Sequence, residues 1–128
     1  MPRIFVGTML LLYTVLGCGG PKPPAIAGGK TTAQWIKALG DQEVAVRTEA
    51  IKKLGNIGSK DREALPAIMI ALADAAPAVR REAIYAVVRN WPASREGLLV
   101  LKEMQENDGD PDIRKIAEEA HGNLIAKK

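Results

Sequence analysis

Few side chains in this sequence could do covalent or acid–base chemistry. It holds one cysteine, Cys18, and one histidine, His121. A lone cysteine excludes an internal disulfide, and a lone histidine excludes a structural zinc cage of the His/Cys type. The serines, Ser59 and Ser94, fall in predicted turns, outside the strand–turn–helix context that exposes a nucleophilic serine. His121 stands alone near the C-terminus. Glu43, Glu49, Glu82, Glu103, Glu106, Glu118 and Glu119 read as solvated helix faces. Gly55-Asn-Ile-Gly58 is a helix exit and not a phosphate-binding glycine loop. These residues point to no enzyme, no cofactor and no metal.

The charged residues that do form a pattern are paired aspartates and arginines. The order Asp, four residues, Val or Ile, Arg, two residues, Ala occurs three times. It starts at Asp41, Asp74 and Asp108, with its arginine at Arg47, Arg80 and Arg114. The arginines are spaced by 33 and then 34 residues. A constant period of this size marks stacked structural repeats, which present surfaces to partners.

Composition agrees. Hydrophobic residues make up 47% of the 128-residue chain and aromatics 4%. With abundant Ala, Leu, Ile, Glu, Lys and Arg, that balance favours helices. The net charge is +3, and without Arg3 it is +2, with the charges interleaved. Nucleic-acid binding calls for a clustered basic stripe, which is absent, so no nucleic-acid partner is expected.

Residues 1–17 carry Arg3, then a 13-residue apolar stretch from Ile4 to Leu16. That length suits the core of a signal peptide and falls short of the roughly 20 residues that span a bilayer. The stretch ends at Val15-Leu16-Gly17-Cys18, which resembles the lipobox of bacterial lipoproteins, with Leu16 atypical at its position. The resemblance implies cleavage before Cys18, acylation of Cys18 and a lipid anchor in a membrane. Gly19 after Cys18, in place of a retention-signalling Asp, favours the outer membrane where the cell has one. The alternatives are an uncleaved membrane anchor, or a plain signal peptide with an incidental thiol. Residues 18–30, with four Gly and three Pro after Cys18, read as a disordered tether.

From residue 31 to 128 the apolar spacing is helical. Stripes run through Trp35-Ile36-Leu39, Ala50-Ile51-Leu54, Leu65-Ile68-Met69-Leu72, Val79-Ala83-Ile84-Val87, Leu98-Leu101-Met104 and Ile113-Ile116-Ala117-Ala120-Leu124. The second helix is expected to end at Gly55. Asp110-Pro111 supplies a cap and a first-turn proline, and Trp91-Pro92 a stop. The expected fold is all-α, a short α-solenoid of about three antiparallel helix pairs.

Asp41…Val46-Arg47…Ala50…Leu54-Gly55 followed by Ala64-Leu65-Pro66-Ala67-Ile68…Asp74 resembles a HEAT repeat of the PBS-lyase-like kind. The later units match less fully, and the likeness covers about residues 31–126. It implies a superhelix in which Asp41, Asp74, Asp108, Arg47, Arg80 and Arg114 link neighbouring repeats by hydrogen bonds. Some relatives act on bilin chromophores, an activity that the repeat alone does not carry. Glu118 and His121 fall where earlier repeats have Ile51/Ile84 and Leu54/Val87, so the last helix reads as a terminal cap.

The implied concave face is built from helices at about 31–39, 62–73 and 95–106. Ile70 and Val100 are apolar residues surplus to the core stripes there, rimmed by Arg62, Arg95 and Lys102. Together they form a candidate site for an unidentified protein or peptide. The competing reading buries the 62–73 helix on both sides. Trp91 is either an interface anchor or a residue packed on a loop. The function read from the sequence is a membrane-anchored interaction module, a scaffold or adaptor of the bacterial cell envelope. The alternatives are an accessory subunit of an envelope complex that stacks on the solenoid and, more distantly, a lyase-like enzyme.

Overall fold

The computed structural model describes residues 23–127. The signal peptide expected over 1–17 and the expected lipidation site Cys18 lie outside the described residues.

Apolar periodicity becomes six α-helices among the described residues: α1 (Thr32–Ala38), α2 (Val44–Ile57), α3 (Ala64–Ala71), α4 (Pro77–Asn90), α5 (Arg95–Asn107) and α6 (Pro111–Ala126). The helix starts are fixed locally. Thr31 and Gln34 form a capping box on α1. Ser94 Oγ accepts the Gly97 N–H at 3.0 Å on α5. Asp110 Oδ1 accepts the N–H groups of Asp112 and Ile113 on α6, ahead of Pro111. Trp91 ends α4 as expected.

Helix α4 packs on both α2 and α6, so these three line up as one layer. In the second layer α1 packs on α2, α3 on α2 and α4, and α5 on α6. Three helix pairs stacked in this way make a short all-α solenoid. The core lies between the layers, where Ile51, Leu54, Ile68, Val79, Ile84, Val87, Leu101 and Ile113 are fully buried. Ala50, Ala83 and Ala117 are also wholly buried, at the same place in each first-layer helix. Their small side chains let neighbouring helices approach closely.

Two expectations need correction. Helix α2 does not end at Gly55 but runs on to Ile57 and stops at Gly58, whose φ of 56° and ψ of −138° favour glycine. Glycine inside a helix costs about 1 kcal/mol relative to alanine. Here it leaves room for α4, because a Cβ on Gly55 would sit 3.2 Å from Ala86 Cβ and 2.7 Å from Arg89 Nη2.

The expectation of a disordered tether up to residue 30 also fails at its C-terminal end. Strands β1 (Ile26–Ala27) and β2 (Lys30–Thr31) pair antiparallel around Gly28 and Gly29, both at positive φ. Paired positive φ values are what a two-residue hairpin turn requires, and Gly-Gly supplies them without strain. Trp35 Nε1 donates to Ala27 O at 2.7 Å, and Lys30 Nζ lies 4.6 Å from the Trp35 ring centroid. Strand β1 also packs against α2. The hairpin thus covers one end of the solenoid.

Candidate functional site

The repeated aspartates and arginines form a ladder at the helix starts of the first layer. Each aspartate opens an Asx turn: Asp41, Asp74 and Asp108 accept N–H groups two residues on, from Glu43 (2.9 Å), Ala76 (2.9 Å) and Asp110 (3.0 Å). Each arginine then turns back over its own loop. Arg47 Nη1 donates to Asp41 O and Gln42 O, and Arg80 Nη1 to Asp74 O and Ala75 O. The remaining edge of the guanidinium meets the next aspartate. Arg47 binds Asp74 through Nε at 2.9 Å and Nη2 at 3.1 Å, and Arg80 binds Asp108 at 2.9 and 2.8 Å.

These are fork-to-fork pairs with fixed geometry. They span 27 and 28 residues and tie successive repeats together. The hydrogen bonds to Asp74 hold the Arg47 guanidinium above its ordinary pKa, against a smaller cost of burial. For Asp74, burial is the largest single influence and pushes the carboxyl up. The bonds from Arg47 and the Ala76 N–H, with the charges of Arg47 and Arg80, together bring it below its ordinary value.

Beside this ladder an open groove of about 640 Å³ separates α3 from α5. Met69, Leu72, Val100 and Met104 form its apolar lining, and Asp74, Arg80, Glu103, Asn107 and Asp108 its polar edge. The ladder therefore walls the groove as well as bracing the fold.

The six residues expected to bind a partner do not converge. Val100 lines the groove but is half-buried against the core. It lies four residues before Met104 and shares that face of α5. Ile70 is 77% exposed, so α3 is not buried on both sides. Ile70 lies roughly 100° round the helix from Met69, on another flank of α3. Lys102 is exposed and lies roughly 200° round α5 from Val100, so it cannot rim the groove. Arg95 is exposed at the first turn of α5. Arg62 is exposed beside a separate cleft of about 710 Å³ with Pro23, Pro24, Ser59 and Lys60. Trp91 is half-buried and packs against the core.

The sequence reading missed Leu99, which is 62% exposed on α5. Its neighbours at i+3 and i+4, Lys102 and Glu103, are polar, and that signal marked the outward face. Tyr85 was also missed. It is 48% exposed on α4 and lines a first-layer cleft of about 370 Å³ with Val88 and Ile116.

Ser59 lies in a 3₁₀ turn after α2, while Ser94 is occupied in capping α5. Among the described residues, no three His, Cys, Asp or Glu side chains gather closely enough to hold a metal ion. Nor is any described helix long and apolar enough to cross a membrane.

Stacked helix pairs and a ladder that repeats with them define a helical-repeat protein, a short α-solenoid. Residues 32–122 match the family described as HEAT repeats, and the chain belongs to that family. HEAT repeats generally mediate protein–protein interaction. A comparison with curated proteins found no match.

Proposed function

We propose that this protein is a membrane-anchored adaptor of the bacterial cell envelope that recruits a partner protein through the second-layer face of its solenoid. The observation that carries the binding half is the exposure of Ile70 and Leu99, at 77% and 62%, on α3 and α5. Neither side chain serves the core, and the two helices that display them border a groove lined by Met69, Leu72, Val100 and Met104. Exposed apolar side chains on helices that also border an apolar groove suit an amphipathic partner segment. The anchoring half is supported by the apolar segment from Ile4 to Leu16 and the lone Cys18 that follows it. Several acyl chains hold a protein on a membrane where one would not. Tethering then raises the local concentration of the module for other envelope proteins.

The test is photo-crosslinking of the tagged full chain in cells, with mass spectrometry of the products. The comparison is a variant carrying Ile70→Asp and Leu99→Asp. Exposed positions tolerate such changes within about 0.5 kcal/mol. One dominant product lost in the variant is the expected result. Equal capture by both chains would remove the binding site from this face. Intact-mass measurement of the membrane-extracted chain tests the anchor separately. A chain starting at Cys18 with added acyl mass supports it; a chain retaining residues 1–17, or lacking acyl mass, refutes it.

A further inference from the structure

Among the described residues the first aspartate and the last arginine of the ladder each lack a cross-repeat partner. Arg114 repeats the anchoring contact of its predecessors, its Nη1 donating to Asp108 O at 2.7 Å. In Arg47 and Arg80 the other guanidinium edge is filled by Asp74 and Asp108. The Nε and Nη2 edge of Arg114 meets no acceptor among the described residues. Asp41 is its counterpart. It has the same Asx turn as Asp74 and Asp108, and no guanidinium from a preceding repeat reaches it among the described residues. The chain thus carries both halves of one missing rung, each held in position by its own loop.

We propose that a second copy of this chain supplies the missing half, with Arg114 of one molecule donating bidentately to Asp41 of the next. The N-terminal hairpin leaves room for this. Gly28 lies against the Lys53 side chain, in the C-terminal half of α2. At the other end of that helix, Asp41 is exposed and Val44 is 41% exposed. Preset partners lose little conformational freedom on pairing, which favours a bidentate bond over a flexible surface ion pair.

The contact is heterologous, head to tail, so it builds open chains or closed rings and not a two-fold dimer. It is also weak. Glu118 is exposed where Ile51 and Ile84 are fully buried in the earlier repeats, so no apolar layer continues across the junction. This inference concerns the ends of the solenoid and does not rest on the second-layer face.

The test is sedimentation of the full chain in detergent at low salt, over a wide concentration range. Two charge reversals are compared, Asp41→Arg and Arg114→Asp, each verified as folded by its helical melt. Wild type is expected to gain mass with concentration. Each variant alone should associate at least about tenfold more weakly, since each sets like charges together at the junction. Mixing the two variants should restore association, because every junction between unlike molecules then pairs a carboxylate with a guanidinium. A wild-type chain that stays monomeric throughout, a single variant that associates as wild type does, or a mixture that fails to recover would each overturn the proposal.

Discussion

Replacing Arg80 by alanine should destabilise the fold far more than replacing Arg114, although the two arginines occupy the same repeat position. Arg80 makes four hydrogen bonds, two to the Asp108 carboxylate and two to the carbonyls of Asp74 and Ala75. The side chains of Arg80 and Asp108 are only 13% and 7% exposed. Removing one partner of a fully buried pair costs about 3–5 kcal/mol, and the gain from an exposed pair is about 0–1 kcal/mol. Two features soften the loss: Ala75 O is open to water, and Asp108 keeps the Asp110 N–H. The expected cost of Arg80→Ala is therefore about 2–4 kcal/mol. For a folded unit of about 100 residues that is a fall in Tm of roughly 10–20 °C. Arg114→Ala removes one bond, to Asp108 O, and should cost about 0.5–1.5 kcal/mol. The assay is urea unfolding followed by helical circular dichroism, with a double-mutant cycle between Arg80→Ala and Asp108→Ala. The cycle should return a coupling of about 1–3 kcal/mol. If Arg80→Ala proved no costlier than Arg114→Ala, or the coupling vanished, the ladder would be ornament on a fold held by its core alone.

Gly58→Ala should cost about 1–3 kcal/mol in the same assay, because φ is 56° there and an added Cβ would overlap the Asn90 carboxamide; an unchanged melt would contradict this. Trp35→Phe keeps most of the ring's packing but loses the Nε1 bond to Ala27 O. Amide exchange at residues 26–32 should then quicken several-fold or more, with a global cost below about 1.5 kcal/mol. The Asp74 carboxyl sits below its ordinary pKa when folded, so its stabilising contribution is full above the unfolded value and is lost as pH falls through the folded one. Asp74→Asn should be less stable at neutral pH and should flatten the stability loss between about pH 5 and pH 2; parallel profiles for the two proteins would refute that.

The solenoid was legible because its signals are periodic and local. Arg47, Arg80 and Arg114 recur at one spacing, and the apolar stripes between them have the helical period. The elements missed depend on what one segment does to another. Gly55 reads as a helix end in isolation, and only the approach of Ala86 explains why the helix continues through it. Residues 25–30 read as tether because Gly and Pro dominate the 18–30 segment to which they belong. The Gly28-Gly29 turn signal was present, but its value depends on Trp35, which receives the hairpin. Val100 and Leu99 are neighbours of equal apolarity, and the helical face, not the residue type, decides between them. Counting from Met104 places Val100 inward and Leu99 outward.

The residues that hold this protein together and those of the proposed interaction face are different residues. The core residues are buried and the two closed rungs largely so, and substitutions there act through stability. Ile70 and Leu99 are mostly solvated, so replacing them removes little that folding had gained. Exposed side chains of this size carry a standing risk of non-specific association without stabilising the chain that displays them. A partner that covers them turns that liability into binding energy, since about 25 cal/mol is gained per Å² of apolar surface removed from water. The two groups can therefore be varied independently. Loss of binding without loss of fold at Ile70 and Leu99, set against loss of fold at Arg80, would distinguish an interaction face from a part of the scaffold.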